Sequence, residues 1–144
     1  MATFTANALQ TVAANGDIIY ENAAVPYPYP YGSVMHREDS GLVTLRGNSR
    51  SRFSTYRVSY SANVAIPTGG TVGGPISLAI SLNGEALPTS TAIETPTAVD
   101  AFTHINDTTD ILVPNGCCAS VSVRNTSTQD LSVQNASLTV NKLA

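Results

Sequence analysis

The chain has 144 residues, 42% apolar and 12% charged, enough for one domain that buries roughly 68–70% of its unfolded surface. That balance excludes a charge-rich disordered chain, and a formal net charge of −3 leaves no global basic surface for nucleic acid. No run approaches the ~18 apolar residues of a membrane span, and the richness in Thr, Val, Ser and Ala suits short strands better than helices.

The opening stretch MATFTANALQTVAANG has neither a basic n-region nor a continuous apolar core, so synthesis and folding in a reducing cytoplasm are expected. GDIIYENAAV (16–25) reads as a short strand. VPYPYPYG follows, and Pro26, Pro28 and Pro30 oppose ladder pairing and favour polyproline II. That conformation turns about 120° per residue, so Tyr27, Tyr29 and Tyr31 point in three directions. Two readings stand open: a stiff connector packed on its own domain, or an arm whose tyrosines contact a partner.

HREDS sets His36 beside Glu38, Asp39 and Ser40, but sequence neighbours are not a triad and no Gly-x-Ser-x-Gly elbow exists. A solvated loop is the expectation there. GLVTLRG is a strand candidate, and RGNSRSR after it forms a basic loop. Arg37, Arg46, Arg50, Arg52 and Arg57 concentrate five of the seven basic residues in 21 positions. Such a loop keeps the surface solvated or, through Arg50 and Arg52, meets acidic groups on a partner.

Period-two alternation is clearest in YRVSYSANVAI, where Tyr56, Val58, Tyr60, Ala62, Val64 and Ile66 share one face. ISLAISL repeats it with Ile76, Leu78, Ile80 and Leu82, and PTGGTVGGP between the two is a loop. NGE after Leu82 marks a tight turn into ALPTSTAI. NDTTD offers Asn106, Asp107 and Asp110 as oxygen ligands for calcium, although Asn and Asp are ordinary turn residues and a turn is the expectation.

DILV ends at PNG. Then CCASVSV and LSVQNASLTV, separated by the polar RNTSTQD, read as a C-terminal hairpin. Within the first of these, Cys117, Ala119, Val121 and Val123 fall on one face and Cys118, Ser120, Ser122 and Arg124 on the other. Adjacent Cα atoms lie ~3.8 Å apart, below the usual disulfide range of about 4.4–6.8 Å. A strand therefore keeps the two thiols apart, with Cys117 a small core residue and Cys118 facing outward. Two adjacent cysteines and distant histidines make no zinc site, so no metal and no cofactor is expected. About eight strands with turns every 8–12 residues define an all-β, single-domain antiparallel β-sandwich.

The order of segments resembles the tumour necrosis factor-like and complement globular-head-like domains. FSTYRVSYSANV is similar to their aromatic strand, ISLAISLNGEALPTS to the following aliphatic strand ending in Asn-Gly, and DILVPNGCCASVSV and VQNASLTVNKL to the closing elements. The likeness spans about residues 40–144. It departs where the usual Gly-Asp turn is Gly116-Cys117 and in PYPYPYGSVMHRED, which does not align to the family.

The resemblance implies a jelly roll of eight to ten strands forming a homotrimer. Residues 1–40 would supply N-terminal strands and an attachment arm, and residues 41–144 the jelly roll. Similar domains occur in phage structural proteins and bacterial collagen-like surface proteins. The expected role is therefore non-enzymatic: a capsid decoration or head-fibre-like protein on the virion surface, made in the host bacterial cytoplasm and bound to the major capsid protein or another virion component. Partner contacts are assigned to Tyr27, Tyr29, Tyr31, Arg50 and Arg52, and core and trimer seam to Tyr56, Tyr60 and Cys118. Three copies of Cys118 would converge if its strand faced the symmetry axis. The alternatives are a carbohydrate- or receptor-binding knob with a glycan partner, and a spore- or cell-surface layer protein. Neither nucleic acid nor membrane is an expected partner.

Overall fold

The computed structural model describes residues 2–25, 34–36, 40–47, 52–115 and 118–143. Among the described residues, twelve strands run in chain order: β1 (Ala2–Ala6), β2 (Gln10–Val12), β3 (Asn22–Val25), β4 (Val34–His36), β5 (Val43–Leu45), β6 (Phe53–Ala65), β7 (Ile76–Leu82), β8 (Glu85–Ala86), β9 (Ala92–Glu94), β10 (Thr103–Pro114), β11 (Ala119–Asn125) and β12 (Leu131–Lys142). One 3-10 turn, Pro88–Ser90, sits between β8 and β9. The first sheet has the order β10-β6-β12-β1-β3, with β2 also on β12; the second has β4-β5-β11-β7-β8, with β9 also on β7. Every pairing is antiparallel.

The alternation seen in the sequence is the alternation of the sandwich. Tyr56, Val58, Tyr60, Ala62 and Val64 of β6 are buried, as are Ile76, Leu78 and Ile80 of β7. They meet Val121 and Val123 of β11 and Leu138 and Val140 of β12 in one core between the sheets. The first 40 residues enter both sheets: in β1, Phe4 and Ala6 turn inward while Thr3 and Thr5 stay half-exposed. At the Asn-Gly turn after β7, Asn83 and Gly84 take φ of 52° and 87°, and Leu82 pairs with Glu85 across it. Positive φ at both central residues is the requirement of a type I′ two-residue hairpin.

Three expectations are corrected. β11 and β12 form no hairpin, since β11 lies in the second sheet and β12 in the first. Both strands carry an apolar face, and burying the two against each other across the sandwich requires the 126–130 segment to arch over its end. NDTTD is no turn: residues 106–110 run straight through β10, whose twelve residues pair with β6 from Thr103↔Val64 to Pro114↔Phe53. A long partner strand overrides local turn preference. His36 lies in β4 rather than in a solvated loop, and its half-buried ring packs 4.7 Å from Phe4 and 6.5 Å from Tyr20 between centroids.

Asn125 fixes the arch. Its Nδ2 donates to the carbonyls of Val12 (3.0 Å), Ala13 (3.3 Å) and Gln129 (2.9 Å), and its Oδ1 accepts from the Ser127 amide at 2.9 Å. One buried amide thus ties the β2 end, β11 and the connection into β12.

Candidate interaction surface

The outward face of the first sheet is a set of cross-strand rows that follow from the β6 register. Phe53 opposes Pro114, and Thr55 lies opposite Leu112, while the Leu143 amide donates to the Thr55 carbonyl at 2.8 Å. Arg57 comes next, between Asp110 and Asn141, then Ser59 between Thr108 and Thr139, then Ser61 between Asn106 and Ser137. Asn63 closes the series between His104 and Gln134.

Chemistry changes along these rows. At the Phe53 end, Phe53, Leu112 and Leu143 are exposed by 50%, 58% and 43%, an apolar cluster on an otherwise polar face. The next row holds a two-pronged ion pair, Arg57 Nε to Asp110 Oδ1 at 2.8 Å and Nη2 to Oδ2 at 3.1 Å. That pairing holds the Asp110 carboxyl below its ordinary range and the Arg57 guanidinium above its own. Beyond it come hydroxyl contacts: Ser59–Thr108 at 2.9 Å, Ser61–Ser137 at 2.8 Å and Thr3–Thr139 at 3.4 Å. His104 Nδ1 lies 3.2 Å from Asn63 Oδ1.

The residues singled out in the sequence are placed apart from one another. Tyr27, Tyr29, Tyr31 and Arg50 lie outside the described residues, as does Cys117. Arg52 is exposed beside Phe53, and its carbonyl accepts from the Asn115 amide at 2.9 Å. Tyr56 and Tyr60 are core residues: the Tyr56 hydroxyl donates to the Arg46 carbonyl at 2.6 Å, and that of Tyr60 to the carbonyls of Leu78 and Ser90, both at 2.9 Å. Cys118 is exposed one residue ahead of β11, on the second sheet. The outward row behind it is occupied within the chain, Ser122 Oγ bonding Asp17 at 3.1 Å and Arg124 Nη1 bonding the Gly84 carbonyl at 2.7 Å.

Sequence reasoning passed over Phe53, Leu112 and Leu143, although a signal was present. Phe53 and Leu112 are large apolar residues on the polar parity of their strands, and Leu143 continues that parity one residue past β12. Among the described residues no three His, Cys, Asp or Glu side chains gather as a metal site.

No family model and no curated protein matches the chain by sequence. Solved structures match its fold over nearly its whole length. The Eiger TNF of S. frugiperda aligns with TM-score 0.69 and 16% identity over 99% of this chain and 91% of the other. Murine APRIL gives 0.63 and 11% over 99% and 98%. The globular domain of zebrafish complement 1qA gives 0.60 and 7% over 99% and 96%. The chain therefore has a TNF/C1q-like jelly-roll fold.

Proposed function

Proceeding from this jelly-roll fold, we propose that the protein is a non-enzymatic structural subunit of a phage particle, a homotrimeric capsid decoration or head-fibre-like knob. The observation that carries the assembly is the apolar cluster of Phe53, Leu112 and Leu143 standing exposed on the outward face of the first sheet. From Phe53 to Asn63, across four strands, that face measures about 34 Å by 19 Å at ordinary strand spacings. Its footprint of roughly 600 Å² approaches the ~800 Å² per partner of a stable interface.

In this reading the apolar end supplies burial and the hydroxyl rows supply register, while Arg52 at its margin provides charge for the neighbour or the shell. Tyr56 and Tyr60 remain inside each protomer. Placement on a phage particle extends the sequence resemblance, with the Pro/Tyr segment and the basic loop as attachment elements.

Sedimentation tests the assembly. Wild-type protein is expected to run as a trimer at micromolar concentration, and Leu112→Asp or Phe53→Asp as a monomer that still unfolds cooperatively. A wild-type monomer overturns the seam. Mass spectrometry and cryo-electron microscopy of virions test the location, and absence from the head overturns the decoration role.

A further inference from the structure

At the opposite end of the sandwich, about 40 Å along β6 from the apolar cluster, the loop 67–75 and the arch 126–130 enclose two adjoining hollows. The larger, about 500 Å³, is lined by Thr71, Ser77, Ile93, Thr126, Thr128 and Gln129, with Gly74, Pro75 and Ser127 completing its wall. The smaller, about 400 Å³, shares Thr71 and Gln129 and extends to Asp130.

The walls are fixed by side-chain bonds. Gln129 grips the backbone of Thr71 at both ends, Oε1 accepting from its amide at 3.0 Å and Nε2 donating to its carbonyl at 2.9 Å. Ser127 Oγ accepts from the Ser77 amide at 2.8 Å, and Ser77 Oγ lies 2.6 Å from Thr126 Oγ1. Gly70 permits this closeness: a Cβ there would stand 2.5 Å from Ile66 Cγ2 and 3.0 Å from Gln129 Oε1.

We infer that this groove is a binding site for a neutral oligosaccharide. No charged side chain lines the larger hollow, which disfavours phosphates and acidic sugars. Hydroxyls and one amide at fixed positions can exchange hydrogen bonds with vicinal sugar hydroxyls. Ile93, exposed by 66%, and Pro75 offer apolar surface to a pyranose C–H face. An extended peptide is the poorer occupant, because strand addition needs open backbone groups and those of Thr71 and Ser77 are already taken by Gln129 and Ser127. The site lies away from the proposed seam and does not depend on it.

The test is a heteronuclear NMR titration of the full chain with maltotriose, cellotriose and chitotriose separately. At least one sugar is expected to give saturable shifts confined to the amides of Thr71, Ile93 and residues 126–129. Ile93→Asp, at an exposed position, and Gln129→Ala, which releases the loop, should each weaken binding about tenfold or more while the spectrum of the core persists. No saturable shifts at tens of millimolar sugar, or shifts centred elsewhere, overturn the site. So does binding that both variants leave unchanged, or a response to an uncharged extended peptide without one to any sugar.

Discussion

Two tyrosines show how one hydroxyl can have opposite worth in two places. The single Tyr60 hydroxyl proton is shared between two backbone carbonyls, whereas the Tyr20 hydroxyl is buried with no hydrogen-bond partner among the described residues. Tyr60→Phe should therefore cost about 1–2 kcal/mol, and Tyr20→Phe should be neutral or stabilise by up to about 1 kcal/mol; urea unfolding distinguishes them. Both phenols are pushed above their ordinary pKa, first by burial, then by Tyr60 and Asp17 for Tyr20 and by Asp107 for Tyr60. A raised acid keeps its proton in the native state after the unfolded chain has lost it, so the contribution is complete below about pH 10 and declines above it. Thermal melts should show stability falling above that pH, and the Tyr20→Phe/Tyr60→Phe double variant should flatten the fall. Alternation in the sequence placed both β6 tyrosines inward, since period two needs no partner to be read. It could not tell which hydroxyl has an acceptor, because Leu78 and Ser90 come from elements that only the folded chain brings near. Asn125 makes the same point. Part of the polar RNTSTQD in the sequence, it is a buried hub in the fold, and Asn125→Ala should cost about 2–4 kcal/mol through the carbonyls left unpaired.

Among the elements, β12 carries a lesson in parity. Leu131 and Val133 point inward on odd numbers, while Ala136, Leu138 and Val140 do so on even ones. A bulge between Gln134 and Ser137 makes the change, with Asn135 at φ 52°. The extra residue resets which face is apolar, and Asn is among the few residues that tolerate this backbone. Asn135→Val should destabilise by about 1–2 kcal/mol and Asn135→Gly by little, as read from denaturant midpoints. The turn at Asn83-Gly84 was legible in NGE, whereas the slip of parity in LSVQNASLTV emerges only with the register of β12 against β6. Nor was the course of β10 legible, because Asn106, Asp107 and Asp110 lie in a strand whose extent is set by its pairing with β6.

For the whole molecule, period-two patterning reveals a sandwich but not which strands share a sheet. From β9 onward each connection changes sheet, and the consecutive strands β11 and β12 therefore face each other instead of pairing. The seam proposed on the first sheet was hidden for a related reason. Phe53, Leu112 and Leu143 are far apart in sequence and form a patch only once β6, β10 and the end of β12 align. β1 is also inseparable from the jelly roll, paired with β12 on one side and β3 on the other. Deleting residues 2–6 should remove the cooperative thermal transition, because Phe4 leaves the core and an inner strand loses its neighbour.

The position of β12 has a consequence for how the protein is made. It lies between β6 and β1, so of the strands in this sheet the one latest in sequence order joins its two halves. A nascent chain that has not yet released residues 131–142 from the ribosome holds β6–β10 and β1–β3 as separate fragments with open edges. Folding must wait for synthesis to pass this strand, and its dependence on distant pairings sets a slow pace, on the order of milliseconds to seconds. During that interval the exposed edges are open to wrong partners, and to neighbouring copies on the same message.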